Sequence, residues 1–187
     1  GSEMCIRDRN KAWQTVSSKY LFRRPWLTVR CEDMLLPNGN HIPEYYILEY
    51  PDWVNTIAIT KEGKFVFVRQ YRPGIGRTCY ELCAGVCEKE DVSPLVSAQR
   101  ELWEETGYGN GNWQEYMVVS ANPSTHTNLT HCFLATDVEL IDHQHLEATE
   151  DISVHLFTLE EVRTLLENNE IMQSLNAAPL WKYMASL

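Results

Sequence analysis

The segment Arg100-Glu101-Leu102-Trp103-Glu104-Glu105-Thr106-Gly107-Tyr108 gathers three carboxylates and a guanidinium into a short run. If the run is helical, Glu101 and Glu105 are four apart and share a face, with Glu104 beside them. Like charges at that spacing repel, and a plain surface helix gains nothing from concentrating them. A bound divalent cation would turn the repulsion into attraction. Carboxylate oxygens are the hard ligands that Mg²⁺ prefers, and Mg²⁺ typically combines one or two of them with phosphate oxygens and water. Arg100 is spaced to pair with Glu104 one turn on and so to orient the cluster. Taken alone, the same pattern also describes a solvated acidic helix face, so its surroundings must decide.

Those surroundings read as a helix with defined ends. Ser93 suits an N-cap, and Pro94 suits the first helical position, where its missing N–H would have been unpaired in any case. Leu95, Ala98 and Leu102 follow at helical spacing, and Gly107 supplies the left-handed stop. The predicted helix spans Pro94 to Thr106. Upstream, Thr78 to Leu82 reads as a strand, after which Gly85 opens a loop. Thr56 to Thr60 and Lys64 to Gln70 form a hairpin across Lys61-Glu62-Gly63, and Phe65-Val66-Phe67-Val68 is apolar on both faces, so it belongs centrally in a sheet. An earlier hairpin pairs Leu27 to Leu35 with Glu44 to Tyr50 around Pro37-Asn38-Gly39-Asn40. Met117 to Ala121 and His131 to Thr136 read as strands flanking the polar loop Asn122 to Thr130, and Ser153 to Thr158 as a last strand. Leu159 to Asn168 and Ala178 to Met184 read as helices. This order, with no internal repeat, predicts an α/β domain: a mixed β-sheet sandwiched by helices, preceded by an antiparallel β-hairpin subdomain.

The chain has 187 residues, of which 44% are apolar, enough for one substantial core. Its expected organisation is a tag scar, Gly1-Ser2, with a flexible segment through residue 19, a β subdomain over 20–51 and a main domain over 52–187. No apolar run approaches the roughly 20 residues that cross a bilayer, and no secretory pattern opens the chain, which points to the cytoplasm and to no membrane partner. The net charge of −10 argues against a nucleic-acid partner, since each neutralised phosphate needs a cationic side chain. Six cysteines, at 5, 31, 79, 83, 87 and 132, lack the paired spacing of a zinc site and read as reduced structural thiols.

From Gly85 to Tyr108 the chain resembles the Nudix box, in which a glycine and a carboxylate precede R-E-U-x-E-E-x-G-U, U being apolar. The second half matches position for position, with Tyr108 in the final apolar place. In the first half Asp91 stands where the family has Glu, and the spacing from Gly85 to Arg100 is one residue longer. A residue inserted inside the helix would rotate every later side chain by about 100°. This one precedes Ser93, so it lengthens the loop and leaves open whether Glu88, Glu90 or Asp91 pairs with Arg100. Val66-Phe67-Val68-Arg69-Gln70-Tyr71-Arg72-Pro73 and Glu81-Leu82-Cys83-Ala84-Gly85 are similar to the ADP-ribose pyrophosphatase branch, which has Pro where this chain has Cys83.

The resemblance implies the Nudix fold and a set of roles. Metal would be held by Glu101, Glu105, the Ala84 carbonyl and Glu150 of a late loop, with Glu104 beside them. Glu150, Glu105, Glu101 and Arg100 would form the catalytic group, with Glu147 the alternative to Glu150 as base. Arg72, Arg69, Glu81 and Trp53 would bind substrate, the arginines through phosphate and Trp53 by stacking on a base. His126, in a loop that departs from the branch, reads as a solvated histidine more readily than as a substrate contact. Mg²⁺, with Mn²⁺ as a substitute, would activate a water against the diphosphate. The implied reaction is hydrolysis of ADP-ribose or a related nucleoside diphosphate sugar to a nucleoside monophosphate and a sugar phosphate, by a homodimer built through the N-terminal hairpin. The alternatives are another substrate of the same chemistry, such as GDP-mannose, ADP-glucose or NADH, and a non-catalytic module that binds nucleotide sugars.

Overall fold

The computed structural model describes residues 11–187; the tag scar and Cys5 lie outside the described residues. The chain divides into two compact units, one of residues up to Tyr50 together with Asn122–Thr127, the other of Pro51–Ala121 and Asn128–Leu187.

In the first unit β1 (Gln14–Arg24), β2 (Leu27–Leu35) and β3 (His41–Glu49) form an antiparallel sheet in that order. β2 and β3 are the hairpin expected from the sequence. β1 begins inside the stretch expected to be flexible through residue 19. Its sequence, QTVSSKYLFRR, has no clean alternation, and its strand geometry comes from pairing with β2 along nearly its whole length, a partner that local patterning does not register.

The second unit is built on β4 (Trp53–Thr60), β5 (Phe65–Arg72), β6 (Arg77–Glu81), β7 (Cys83–Val86), α1 (Pro94–Thr106), β8 (Tyr108–Gly109), β9 (Asn112–Val119), β10 (Thr130–Leu140), β11 (Ser153–Phe157), α2 (Leu159–Glu167) and α3 (Ser174–Met184). Its eight strands form one mixed sheet along β11-β5-β4-β10-β8, with β4 and β10 parallel and in register from Trp53↔Thr130 to Ile59↔Thr136. Alternation along the buried strands divides the core. Ile57, Ile59, Phe65 and Phe67 pack with Val162, Leu165, Leu166 and Leu180 of α2 and α3. Ala58 and Val66 pack with Leu102 of α1 on the other face. The sheet is therefore sandwiched, the α/β/α arrangement of the Nudix fold.

The helix over Pro94–Thr106 has the bounds its sequence predicts. Ser93 accepts a bond from the Val96 N–H, and Gly107 takes φ 75° and returns its N–H to the Trp103 carbonyl at 2.8 Å. Gly85 lies within β7 rather than opening a loop, and β9 starts before Met117. The last helix begins at Ser174, not Ala178, because the cost of an internal Pro179 is offset locally. Pro179 has no N–H to give the carbonyl four residues back, that of Leu175, and the buried Asn55 side chain bonds that carbonyl instead at 2.7 Å.

Candidate active site

β4 and β5 pair only at Ala58↔Val66 and Ile59↔Phe65, then part. The chain from β6 to β7 fills the gap: β6 pairs with β5 from Val68↔Glu81 to Arg72↔Arg77, and β7 pairs with β4 from Trp53↔Val86 to Thr56↔Cys83. A cleft of about 550 Å³ opens at this divergence, with Trp53, Arg72, Glu81, Ala84 and Gly85 among its walls. Its volume lies in the range of small-molecule sites.

Helix α1 packs on β7 and delivers the acidic residues. Glu105 is buried, and its carboxylate accepts the Ala84 N–H at 3.2 Å. Glu101 lies against Gly85 so closely that a Cβ on Gly85 would overlap its carboxyl group. The glycine of the motif is required by this approach, since its φ is not positive. Gly85 borders both the cleft and Glu101.

Arg100 is the hub. Its guanidinium bonds Glu101 at 3.0 Å, Glu104 at 2.9 Å, Asp91 at 3.1 Å and the Val86 carbonyl at 3.0 Å. Asp91 is thus the loop partner that the lengthened spacing left open; Glu88 stands further off at 3.9 Å. Asp91 also accepts from Ser97 Oγ at 2.8 Å, which ties the loop to the first turns of α1. Hydrogen bonding to Arg100 holds Asp91 below the usual carboxylate range against the effect of burial. Burial works against the Arg100 charge, but Asp91, Glu101 and Glu104 outweigh it and raise the pKa above its ordinary value.

The carboxylates facing β7 have the opposite problem. Burial pushes Glu105 up to about 8; the Glu101 and Glu150 charges add to the rise, and hydrogen bonds from Cys83 and Ala84 N–H oppose it. Glu101 is also raised by burial, with Arg100 working against it. Two neighbouring acids, one buried and one half-buried, are costly to ionise together, and a cation reverses that cost. The donor set therefore fits a divalent ion: two hard carboxylates beside a main-chain carbonyl at Ala84. Cys83 was missed as part of the site. Its contact with Glu105 appears only when β7 is placed on α1, although its departure from the branch pattern marked the position.

The other residues are placed as follows. Arg72 donates two bonds to the buried Glu81 carboxylate, at 2.9 and 2.5 Å, which fixes its fork at the cleft wall. Arg69, three residues from Arg72, is on the opposite face of β5, with its guanidinium 5.4 Å from the Tyr80 ring centre; it is not brought to the cleft. Glu150 accepts the Glu147 N–H at 2.8 Å in a tight turn, and its charge acts on Glu105. His126 belongs to the first unit, where its ring lies 5.2 Å from that of Tyr50. The described cysteines are all free thiols, with Cys79, Cys83 and Cys132 buried.

Comparison with known proteins agrees with this architecture. Residues 13–48 match the nucleoside diphosphate sugar hydrolase N-terminal domain, and residues 50–177 match the NUDIX domain. An ADP-ribose pyrophosphatase of Bacillus subtilis is 31% identical over 88% of this chain and 88% of its own length. A methanol dehydrogenase activator of Bacillus methanolicus is 29% identical over 86% of each. A crystal structure of an ADP compounds hydrolase superposes with a TM-score of 0.81, covering 94% of both chains at 20% identity, which establishes the common fold. With its acidic helix, box glycine and most of its length accounted for in this way, the chain belongs to the Nudix family, as a pyrophosphohydrolase.

Proposed function

We propose that this enzyme hydrolyses the diphosphate of ADP-ribose or a closely related nucleoside diphosphate sugar, releasing a nucleoside monophosphate and a sugar phosphate. The observation that carries the reading is the placing of a buried Glu105 and a half-buried Glu101 on one face of α1 against β7, with Gly85 in contact with Glu101 and lining the cleft whose wall holds Arg72. Both the N-terminal domain match and the Bacillus subtilis relative favour this substrate class.

Glu101, Glu105 and the Ala84 carbonyl would hold Mg²⁺, with Glu104 and Glu150 in supporting positions. The bound ion supplies charge neutralisation of the diphosphate and a more acidic water. Arg72, aimed by Glu81, grips a phosphate through its planar fork. Trp53, at the cleft edge, offers its ring to the base. Arg100 keeps Glu101 and Glu104 oriented through Asp91 and Val86. Glu150 accepts the proton of the attacking water as the new P–O bond forms and the bridging oxygen leaves with the second phosphate. GDP-mannose, ADP-glucose or NADH would demand the same machinery and differ only in contacts with base and sugar.

The exposed face of the first unit supports a homodimer. Every residue of β1 is exposed, although Val16, Tyr20, Leu21 and Phe22 are apolar, and β1 is an edge strand of eleven residues. Long exposed edges with apolar side chains invite pairing with another chain. Free thiols at every described cysteine support a reducing, cytoplasmic setting. No described helix is long and apolar enough to cross a membrane.

A product-release assay tests the central reading: ADP-ribose, nucleotide sugars, NADH and dinucleoside polyphosphates are each offered with Mg²⁺ and with chelator. Release of AMP and ribose 5-phosphate from ADP-ribose, abolished by chelation, is expected. Preference for a substrate without a nucleoside diphosphate sugar moiety would overturn it.

A further inference from the structure

Packed on the C-terminal end of the acidic helix, the segment Ile141–His145 that follows β10 carries a second group of potential ligands. His143 Nδ1 lies 2.7 Å from one Asp142 oxygen, and His145 Nε2 lies 2.9 Å from the other. Ligand atoms from these three residues all fall within 4.8 Å of one another, and among the described residues they form the one such histidine-containing cluster. The imidazole rings are 4.3 Å apart at 40°, so both nitrogens converge on a single carboxylate.

Backbone anchoring holds this convergence in place. The Ile141 and Asp142 N–H groups both bond the Gly107 carbonyl, at 2.9 and 3.1 Å, and the His145 N–H bonds the Glu104 carbonyl at 2.8 Å. Gln144 Nε2 bonds the Glu105 carbonyl at 2.7 Å. The Trp103 indole stacks on His145 with centroids 4.1 Å apart. Gly107 is needed for the approach, because a Cβ there would overlap the Asp142 carbonyl. These contacts cap the C-terminal end of α1, where the helix dipole favours positive charge.

We propose that Asp142, His143 and His145 form a binding site for a divalent transition ion of the zinc class, separate from the carboxylates that face β7. Two imidazoles and one carboxylate suit Zn²⁺ and its neighbours, whereas Mg²⁺ selects oxygen ligands alone. In a tetrahedral zinc site the ligand atoms stand about 3.3 Å apart, from bond lengths near 2.0–2.1 Å. The two hydrogen-bonded nitrogen–oxygen separations need to widen only slightly to admit an ion, with each neutral imidazole then carrying its one proton on the ring nitrogen that faces away from the ion. Water would complete the coordination, since His143 is largely exposed. The bound ion would pin this segment to α1 just ahead of the turn that carries Glu147 and Glu150.

Titration of the full-length protein with Co²⁺ in excess Mg²⁺ tests the site by its visible absorption, because Mg²⁺ fills oxygen-only positions and gives no band. One equivalent of a histidine-type Co²⁺ spectrum is expected, displaced by Zn²⁺ and retained in Glu105→Gln. In His143→Ala and Asp142→Asn the affinity should fall by about tenfold or more, with far-UV circular dichroism unchanged. Absence of the band, its persistence in both of these variants, or its loss in Glu105→Gln would overturn the assignment.

Discussion

The Cα of Gly85 and the carboxyl group of Glu101 are in such close contact that the smallest side chain at position 85 would occupy the carboxylate's place. Since Arg100 bonds Glu101 at 3.0 Å through the oxygen that lies against Gly85, the acid cannot retreat without disturbing the hub. Gly85→Ala should therefore lower kcat by about a hundredfold or more while the protein stays folded. Steady-state kinetics with circular dichroism check this; near-normal turnover would show that Glu101 need not occupy this position.

Glu105 predicts a pH dependence of stability. Burial raises its pKa from an ordinary 4.5 to about 8 in the folded metal-free protein. Above 4.5 the unfolded chain gives up this proton while the folded chain keeps it until about 8. The contribution of this group to stability therefore falls as pH rises between those values, and the loss is complete above 8. Metal-free wild type should melt lower at pH 8.5 than at pH 5.5, Glu105→Gln should flatten that trend, and Mg²⁺ should stabilise wild type most at the alkaline end. The same variant should abolish turnover. Scanning calorimetry across pH, with and without Mg²⁺, makes the comparison.

How much of this was legible in the chain depended on how local each interaction is. Helix α1 announces both of its ends, because Ser93, Pro94 and Gly107 act within one turn, and the carboxylate spacing follows from it. β5 shows itself through four consecutive apolar residues. What could not be read came from partners distant in sequence. β1 is a strand because β2 lies beside it; α3 starts early because Asn55, far away in β4, bonds the carbonyl freed by Pro179. Arg69 and Arg72 look equivalent as neighbouring cations, but strand alternation separates them, and only Arg72 meets Glu81. Asp91 could be selected from three loop acids only once the loop was folded against Arg100.

Arg100 makes four polar contacts with a planar fork, and a lysine ammonium cannot reproduce that geometry. Arg100→Lys should keep the net charge yet lower kcat by roughly tenfold to a hundredfold, because Glu101 and Glu104 lose their fixed orientation. Arg100→Ala should in addition cost about 2 kcal/mol of stability, since Asp91 and Glu101 are left largely buried without their partner. Denaturant unfolding beside kinetics separates the two effects; a lysine variant with wild-type kcat would remove Arg100 from its positioning role.

Arg72 and Glu81 make the complementary case on the substrate side. Glu81 is buried and Arg72 only partly so, which means that the carboxylate serves to aim the guanidinium rather than to meet solvent. The Glu81 bonds, ahead of the opposing effect of burial, raise the Arg72 pKa, so the cation is secure at any working pH. If the fork grips a phosphate equally in the bound and transition states, its loss should appear in KM and leave kcat nearly unchanged. Arg72→Ala is thus expected to raise KM for ADP-ribose by roughly tenfold or more, and Glu81→Gln to raise it less, because one of the two aiming bonds survives. A fall in kcat at constant KM would instead mean that Arg72 acts only on the charge developed during P–O cleavage.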